Sequence, residues 1–306
     1  MRFCFIGGSG RSGTTILRRM LARHAKVASW PKELRLVTDP DGLLDLVDAL
    51  SEKWDPWMAD TSWDRFQTFL SHMRQPGRPP YKGYDLGSWT NAMAWIALDR
   101  LRGEVEGVPG DARWMGQDDE KRTVYEVGHL TQDHAREVTL DFLTFLAKSR
   151  NRDARVMVDD TPTNLPAFGR LHALGKEAVD LVHVYRHPLD VLASYCAARE
   201  KGATWPATSL RTNACRIRDQ MMRWTKGEEK RMDVLRLRFE DLVANPADEL
   251  HQLVHALGLE WQDDLPEPLN VTTAHVNRWI TDLTPADVES VLPTLGPVCD
   301  AFEYIV

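Results

Sequence analysis

Nine residues near the start of the chain have the types and spacing to hold a phosphate: Gly7-Gly8-Ser9-Gly10-Arg11-Ser12-Gly13-Thr14-Thr15. Glycines let a backbone turn sharply and aim successive N–H groups at one point, and a following helix adds about half a positive charge at its N-terminus. The spacing from Gly8 to Gly13 matches a Walker A loop, but Thr14 stands where that motif requires lysine. A nucleotide kinase uses that lysine on the β- and γ-phosphates. This loop instead offers Arg11, a planar and permanently charged fork, with the hydroxyls of Thr14 and Thr15 behind it. A flexible glycine linker is the alternative, and linkers are not flanked by a strand and a helix.

The flanking elements supply that frame. Phe3-Cys4-Phe5-Ile6 is a short apolar run suited to a buried strand. After the loop, Ile16, Leu17, Met20 and Leu21 recur at helical spacing, with Arg18, Arg19 and Arg23 expected to face elsewhere. Further apolar runs at 155–158, 181–185 and 234–239 are each followed by a helical pattern. That alternation predicts an α/β fold in which helices cover a central parallel sheet and ligands bind at the carboxyl ends of the strands. Between about 39 and 130 the chain holds Trp54, Trp57, Trp63, Trp89, Trp95 and Trp114, with a Pro-rich break at Gln75 to Pro80 and a Gly-rich one at Gly103 to Gly110. This stretch is expected to be a mostly helical insertion within a single domain spanning 1–306, on the acceptor side of the site. Most of its tryptophans are expected to pack its helices.

A second constellation gives the loop a context. In Leu181-Val182-His183-Val184-Tyr185-Arg186-His187-Pro188, Arg186 ends a strand, Pro188 suits a helix start, and Ser194 lies about two turns into that helix. Arg186 and Ser194 can therefore converge on one anion. Together the two segments resemble the sulfotransferases that use 3′-phosphoadenosine 5′-phosphosulfate (PAPS). The loop is similar to the family's 5′-phosphosulfate loop, and Arg186 with Ser194 to its 3′-phosphate pair. The resemblance implies a P-loop-containing sulfotransferase fold and transfer of a sulfuryl group to an acceptor hydroxyl, with 3′-phosphoadenosine 5′-phosphate (PAP) as product. It implies nucleotide-binding roles for Gly10, Arg11, Ser12, Gly13, Thr14, Thr15, Arg186 and Ser194, and a catalytic role for Arg11 as well.

The likeness extends further. Arg238-Phe239-Glu240-Asp241-Leu242 resembles a strand-end element that usually has tyrosine where this chain has Phe239. Val276-Asn277-Arg278-Trp279-Ile280 resembles the closing segment, which implies that Arg278 reaches the nucleotide. Trp30-Pro31-Lys32-Glu33-Leu34-Arg35 resembles the stretch in which tyrosyl-protein and carbohydrate sulfotransferases keep a glutamate base, which makes Glu33 the implied general base. A free glutamate has a pKa of about 4.3, so desolvation would have to raise it. One position departs from the family. Asp160 stands before Thr161-Pro162 where a lysine is common. Either Arg11 or Lys32 supplies the missing cation, or the chain is a weakly active or non-catalytic PAP-binding relative. Strand plus Asp159-Asp160 also keeps open a metal-dependent P-loop nucleotide kinase. If Glu33 is not the base, Asp160 is the next candidate.

Composition narrows the field. A formal net charge of −7 over 306 residues argues against nucleic acid as partner. Cys4, Cys196, Cys215 and Cys299 lack metal-type spacing and are expected to be reduced thiols in a cytoplasmic protein. No membrane span and no signal peptide is expected. No metal is implied. The resemblance implies a small-molecule, glycosylated or tyrosyl hydroxyl as acceptor, and the oligomeric state is not encoded in these patterns.

Overall fold

The computed structural model describes residues 1–73, 129–224, 231–269 and 275–306. They form two compact units: Met1–Ser29 with Arg155–Val306, and Trp30–Ala154.

The first unit is built on a parallel sheet of five strands: β1 (Arg2–Gly7), β2 (Val27–Ala28), β3 (Val156–Asp159), β4 (Val179–Tyr185) and β5 (Leu235–Arg238). Their order is β2-β3-β1-β4-β5. β1 sits in the centre, pairing Phe3 with Met157 on one side and Phe5 with Leu181 on the other. Its Phe3, Cys4, Phe5 and Ile6 are buried, because a central strand is covered by helices on both faces. All strands run the same way, so the segments that leave β1, β3, β4 and β5 gather at one edge of the sheet. That edge positions the site.

Helix α1 (Thr14–Leu21) follows β1, α5 (Asn164–Ala173) follows β3, and α6 (Pro188–Glu200) follows β4. α6 starts where a proline costs no hydrogen bond, and its cap is the His187 ring, which accepts from the Leu189 amide. After α7 (Leu210–Met221), β5 passes directly into α8 (Phe239–Ala244) and then α9 (Pro246–Ala256). Phe239 therefore opens a helix, where the sequence pattern placed it at a strand end. The unit closes with α10 (Trp279–Asp282) and α11 (Pro285–Ala301), whose start carries a capping box between Thr284 and Asp287.

One expectation about α1 is overturned. Leu17, Met20 and Leu21 face the core as expected, but Arg18 is buried with them at 4% exposure. Periodicity counts arginine as a polar-face residue, whereas here a buried carboxylate, Asp160, compensates it.

The second unit contains α2 (Leu43–Leu50), α3 (Pro56–Met73) and α4 (Gln132–Arg150), so its described elements are all helical. Trp63 is buried and packs as expected, Trp57 is exposed, and Trp54 lies against the His129 ring at 5.3 Å. Trp89, Trp95, Trp114 and both sequence breaks lie outside the described residues. Among the described residues, no helix is long and apolar enough to cross a membrane. All four cysteines are unpaired, and burial pushes the Cys299 thiol up to about 12.

Candidate active site

The loop between β1 and α1 is held in shape by left-handed backbone at two points, Arg11 (φ 70°) and Gly13 (φ 107°). Gly13 is required twice over. Its φ strains any side chain, and a Cβ there would lie 2.3 Å from the Phe239 ring. The Ser12 amide donates to the Ser9 carbonyl at 3.1 Å and closes the turn. The first turn of α1 has no side-chain cap and no acidic residue, so its amide dipoles stay open to an anion. Ser9 and Ser12 each carry a buried hydroxyl oxygen with no hydrogen-bond partner among the described residues. Uncapped amides and orphaned hydroxyls are what a loop shaped around a bound phosphate leaves behind.

Arg11 and Arg186 tie this loop to the end of β4. Arg11 Nε donates to Ser194 Oγ at 3.0 Å, and Arg186 Nη1 donates to the Arg11 carbonyl at 3.4 Å. Arg186 is buried, its guanidinium 4.7 Å from the centre of the Phe239 ring. The phenylalanine that replaces the family's tyrosine thus keeps an aromatic face under the arginine and packs on Gly13. Burial lowers the Arg186 pKa, and neighbouring Asp190 opposes that shift. An arginine so desolvated gains from a further anion.

Asp190 fixes the closing segment to this arginine. Its carboxylate, fully buried, accepts from Arg186 Nη2 at 3.3 Å, from the Asn277 amide at 2.9 Å and from the Trp279 amide at 3.0 Å. Arg186 Nη2 also donates to the His275 carbonyl at 2.6 Å. Glu240 braces the same corner, accepting from the His187 amide at 2.9 Å and from the Tyr304 hydroxyl at 2.9 Å. Burial and the Glu240 charge push that phenol well above its ordinary value, which keeps it a neutral donor.

These elements surround a cavity of about 480 Å³. Arg11, Gly13, Thr14 and Thr15 line it from the loop, Arg186 and Ser194 from β4 and α6, and Arg278 from the closing segment. Gly10 and Ser12 lie just behind: Gly10 packs against the Tyr195 hydroxyl, and Ser12 is buried under the turn. Arg19, His275 and the apolar pair Pro268 and Leu269 also line the cavity and escaped sequence reasoning. Arg19 lies one helical turn beyond Thr15, a signal that was available. Four arginines and no carboxylate line this space among the described residues; Arg186 and Arg278 are paired with Asp190 and Asp282 behind it, which leaves the cavity basic and suited to an anion.

The family model described as the sulfotransferase family matches residues 4–263. The chain belongs to the sulfotransferase family. Its fold is similar to that of the sulfotransferase domain from the Synechococcus PCC 7002 olefin synthase, with a TM-score of 0.53 over all of this chain and 96% of the other, at 16% identity. A sulfotransferase from Alicyclobacillus acidocaldarius is also similar, covering all of this chain and 97% of its own at 14% identity and a TM-score of 0.45. No curated protein matches the sequence.

Within this sulfotransferase, the departure at Asp160 has a structural explanation. Asp160 forms a 2.8 Å ion pair with Arg18 Nε, both side chains at most 5% exposed. The family's cation at this strand end has become an anion, and the neighbouring helix carries the balancing charge. Asp159, next to it, accepts from the Thr161 hydroxyl at 2.8 Å and from the Asn164 amide at 3.0 Å. Both carboxylates are thus engaged in holding β3 against α1 and α5. Removing one member of a buried pair strands the other, so Arg18→Met is expected to destabilise the fold by about 3 to 5 kcal/mol. Adding Asp160→Leu should recover most of that loss. Chemical denaturation of the single and double variants checks both results.

Glu33 lies in the second unit, where it is about one-third exposed. Arg35 Nη1 approaches it at 3.7 Å, and Arg35 Nε holds Asp39 at 2.5 Å. Arg35 adopts a left-handed conformation (φ 59°), so this turn is specifically shaped.

Proposed function

We propose that the chain transfers a sulfuryl group from PAPS to an acceptor hydroxyl. The observation that carries this reading is the convergence of Arg11, Thr14, Thr15, Arg186, Ser194 and Arg278 on one cavity. A Walker-type loop alone would accept many phosphates. The pairing of that loop with a second, buried arginine centre calls for a nucleotide with phosphates at two separate positions.

The residues fit the donor. Loop amides from Gly10 to Thr15, with the Thr14 and Thr15 hydroxyls, hold the 5′-phosphate end, while Arg186, Ser194 and Arg278 hold the 3′-phosphate. The donor supplies an activated sulfuryl group on a bridging phosphate oxygen. Glu33 accepts the acceptor hydroxyl's proton as that oxygen bonds to sulfur, and the bond from sulfur to the bridging oxygen breaks with its electron pair left on the bisphosphate. Arg11 and the dipole of α1 stabilise the charge that builds there. With Asp160 engaged by Arg18, Arg11 is the cation in the loop itself that replaces the family lysine.

Incubating the protein with PAPS carrying labelled sulfur and a panel of hydroxyl acceptors tests this proposal. Label is expected in an organic product, with chelator present or absent. Magnesium-dependent turnover of ATP, with no label transfer, would replace it by a nucleotide kinase.

A further inference from the structure

Gly8, at the start of the phosphate loop, also lines a second cavity of about 530 Å³ in the first unit. Its volume lies within the range of small-molecule sites. Pro162, Leu165 and Pro166 from the β3–α5 region make an apolar wall, and α7 faces them with Arg216 and, just beyond its end, Arg223. These arginines are seven residues apart and so share one helical face. Arg216 Nη1 is pinned by the Trp205 carbonyl at 3.0 Å. Among the described residues neither arginine forms an ion pair, and the one carboxylate in the lining, Asp219, is held by Arg218 at 2.8 Å. Positive charge is therefore in surplus. A second observation marks the cavity as a site: the side-chain oxygen of Gln220 in its wall is buried and accepts no hydrogen bond among the described residues. An uncompensated polar atom in a space with uncompensated cations is an invitation to a polar, anionic guest.

We propose that this cavity holds the acceptor, and that Arg216 and Arg223 select acceptors carrying an anionic group, carboxylate or phosphate, on an apolar body that also bears the hydroxyl. The inference rests on the function proposed above. Gly8 and Gly13 lie in the loop between β1 and α1, and Thr14 and Thr15 open α1, so both cavities border this one short segment, at which a bound nucleotide and acceptor would meet. Gly8 is held close against β4, where a Cβ would collide with the Val184 carbonyl at 2.5 Å. The anionic group takes no part in bond making. It orients the molecule while the hydroxyl reacts.

The test compares 10-hydroxydecanoate with 1,10-decanediol, which differ only in the carboxylate, by calorimetric titration of the full chain with and without saturating PAP. The acid is expected to bind about 10- to 100-fold more tightly than the diol, the value of one or two hydrogen bonds to a charged group. In Arg216→Ala/Arg223→Ala that preference should vanish, while PAP affinity stays within about twofold of wild type. Arg216→Lys/Arg223→Lys should keep part of it. Equal affinity for the two probes, no binding of the acid, or a preference that survives the alanine variant would each overturn the assignment. Loss of PAP binding by the wild-type chain would instead defeat the proposed function, and the titrations without nucleotide would still judge the cavity.

Discussion

Glu33→Gln is expected to lower sulfuryl-transfer turnover by about 10²- to 10⁴-fold, the usual contribution of a positioned base, while PAP affinity stays within about threefold. Glutamine keeps the size and the hydrogen bonding of the side chain but cannot take the acceptor proton. Arg35 Nη1 lies 3.7 Å from the Glu33 carboxylate. The natural rival for the role is weaker than its sequence suggested, because Asp160 is buried against Arg18. Single-turnover measurements with a verified acceptor separate the two effects. A near-normal chemical step in Glu33→Gln would remove Glu33 from the mechanism, and normal PAP binding with no transfer by the wild-type chain would mark a non-catalytic relative.

Arg186→Ala is expected to weaken PAP binding by about 30- to 1000-fold, corresponding to roughly 2 to 4 kcal/mol for a lost charge-assisted fork, with ADP binding changed by less than about threefold. The structure adds a complication and its remedy. Arg186 also compensates Asp190, so the variant leaves a fully buried carboxylate without its cation and should melt earlier. ADP affinity measured below the new melting temperature serves as the control for folding. Equal losses for PAP and ADP would show that Arg186 acts through the fold and not on the 3′-phosphate. Adding Asp190→Asn should restore part of the stability without restoring PAP affinity, which distinguishes a contact from a scaffold.

Local signals carried much of this architecture. The strand, loop and helix from Arg2 to Leu21 are written in consecutive residues, as are Pro188 at a helix start and Ser194 on that helix. Other features depend on partners far along the chain. Arg18 reads as a surface residue until β3 brings Asp160 beside it. The order β2-β3-β1-β4-β5 and the two-residue β2 follow from long-range pairing that no window of sequence contains. At the site, Arg11, Arg186, Ser194 and Arg278 were legible because motif residues are constrained by chemistry, whereas His275 reaches the cavity through a loop whose path is fixed by Asp190 accepting the amides of Asn277 and Trp279. Asp190 itself was legible only as part of a helical pattern. Its function as an anchor is purely tertiary.

The four-arginine cavity is expected to discriminate a nucleotide by its second phosphate position. Calorimetric titration of the wild-type chain with PAP, with its 2′-phosphate isomer and with ADP tests it most directly. PAP is expected to bind about 30-fold or more tightly than either, since in the proposed function only the 3′-phosphate meets the buried Arg186 centre. Equal affinity for PAP and ADP, or tighter binding of ADP, would contradict the account.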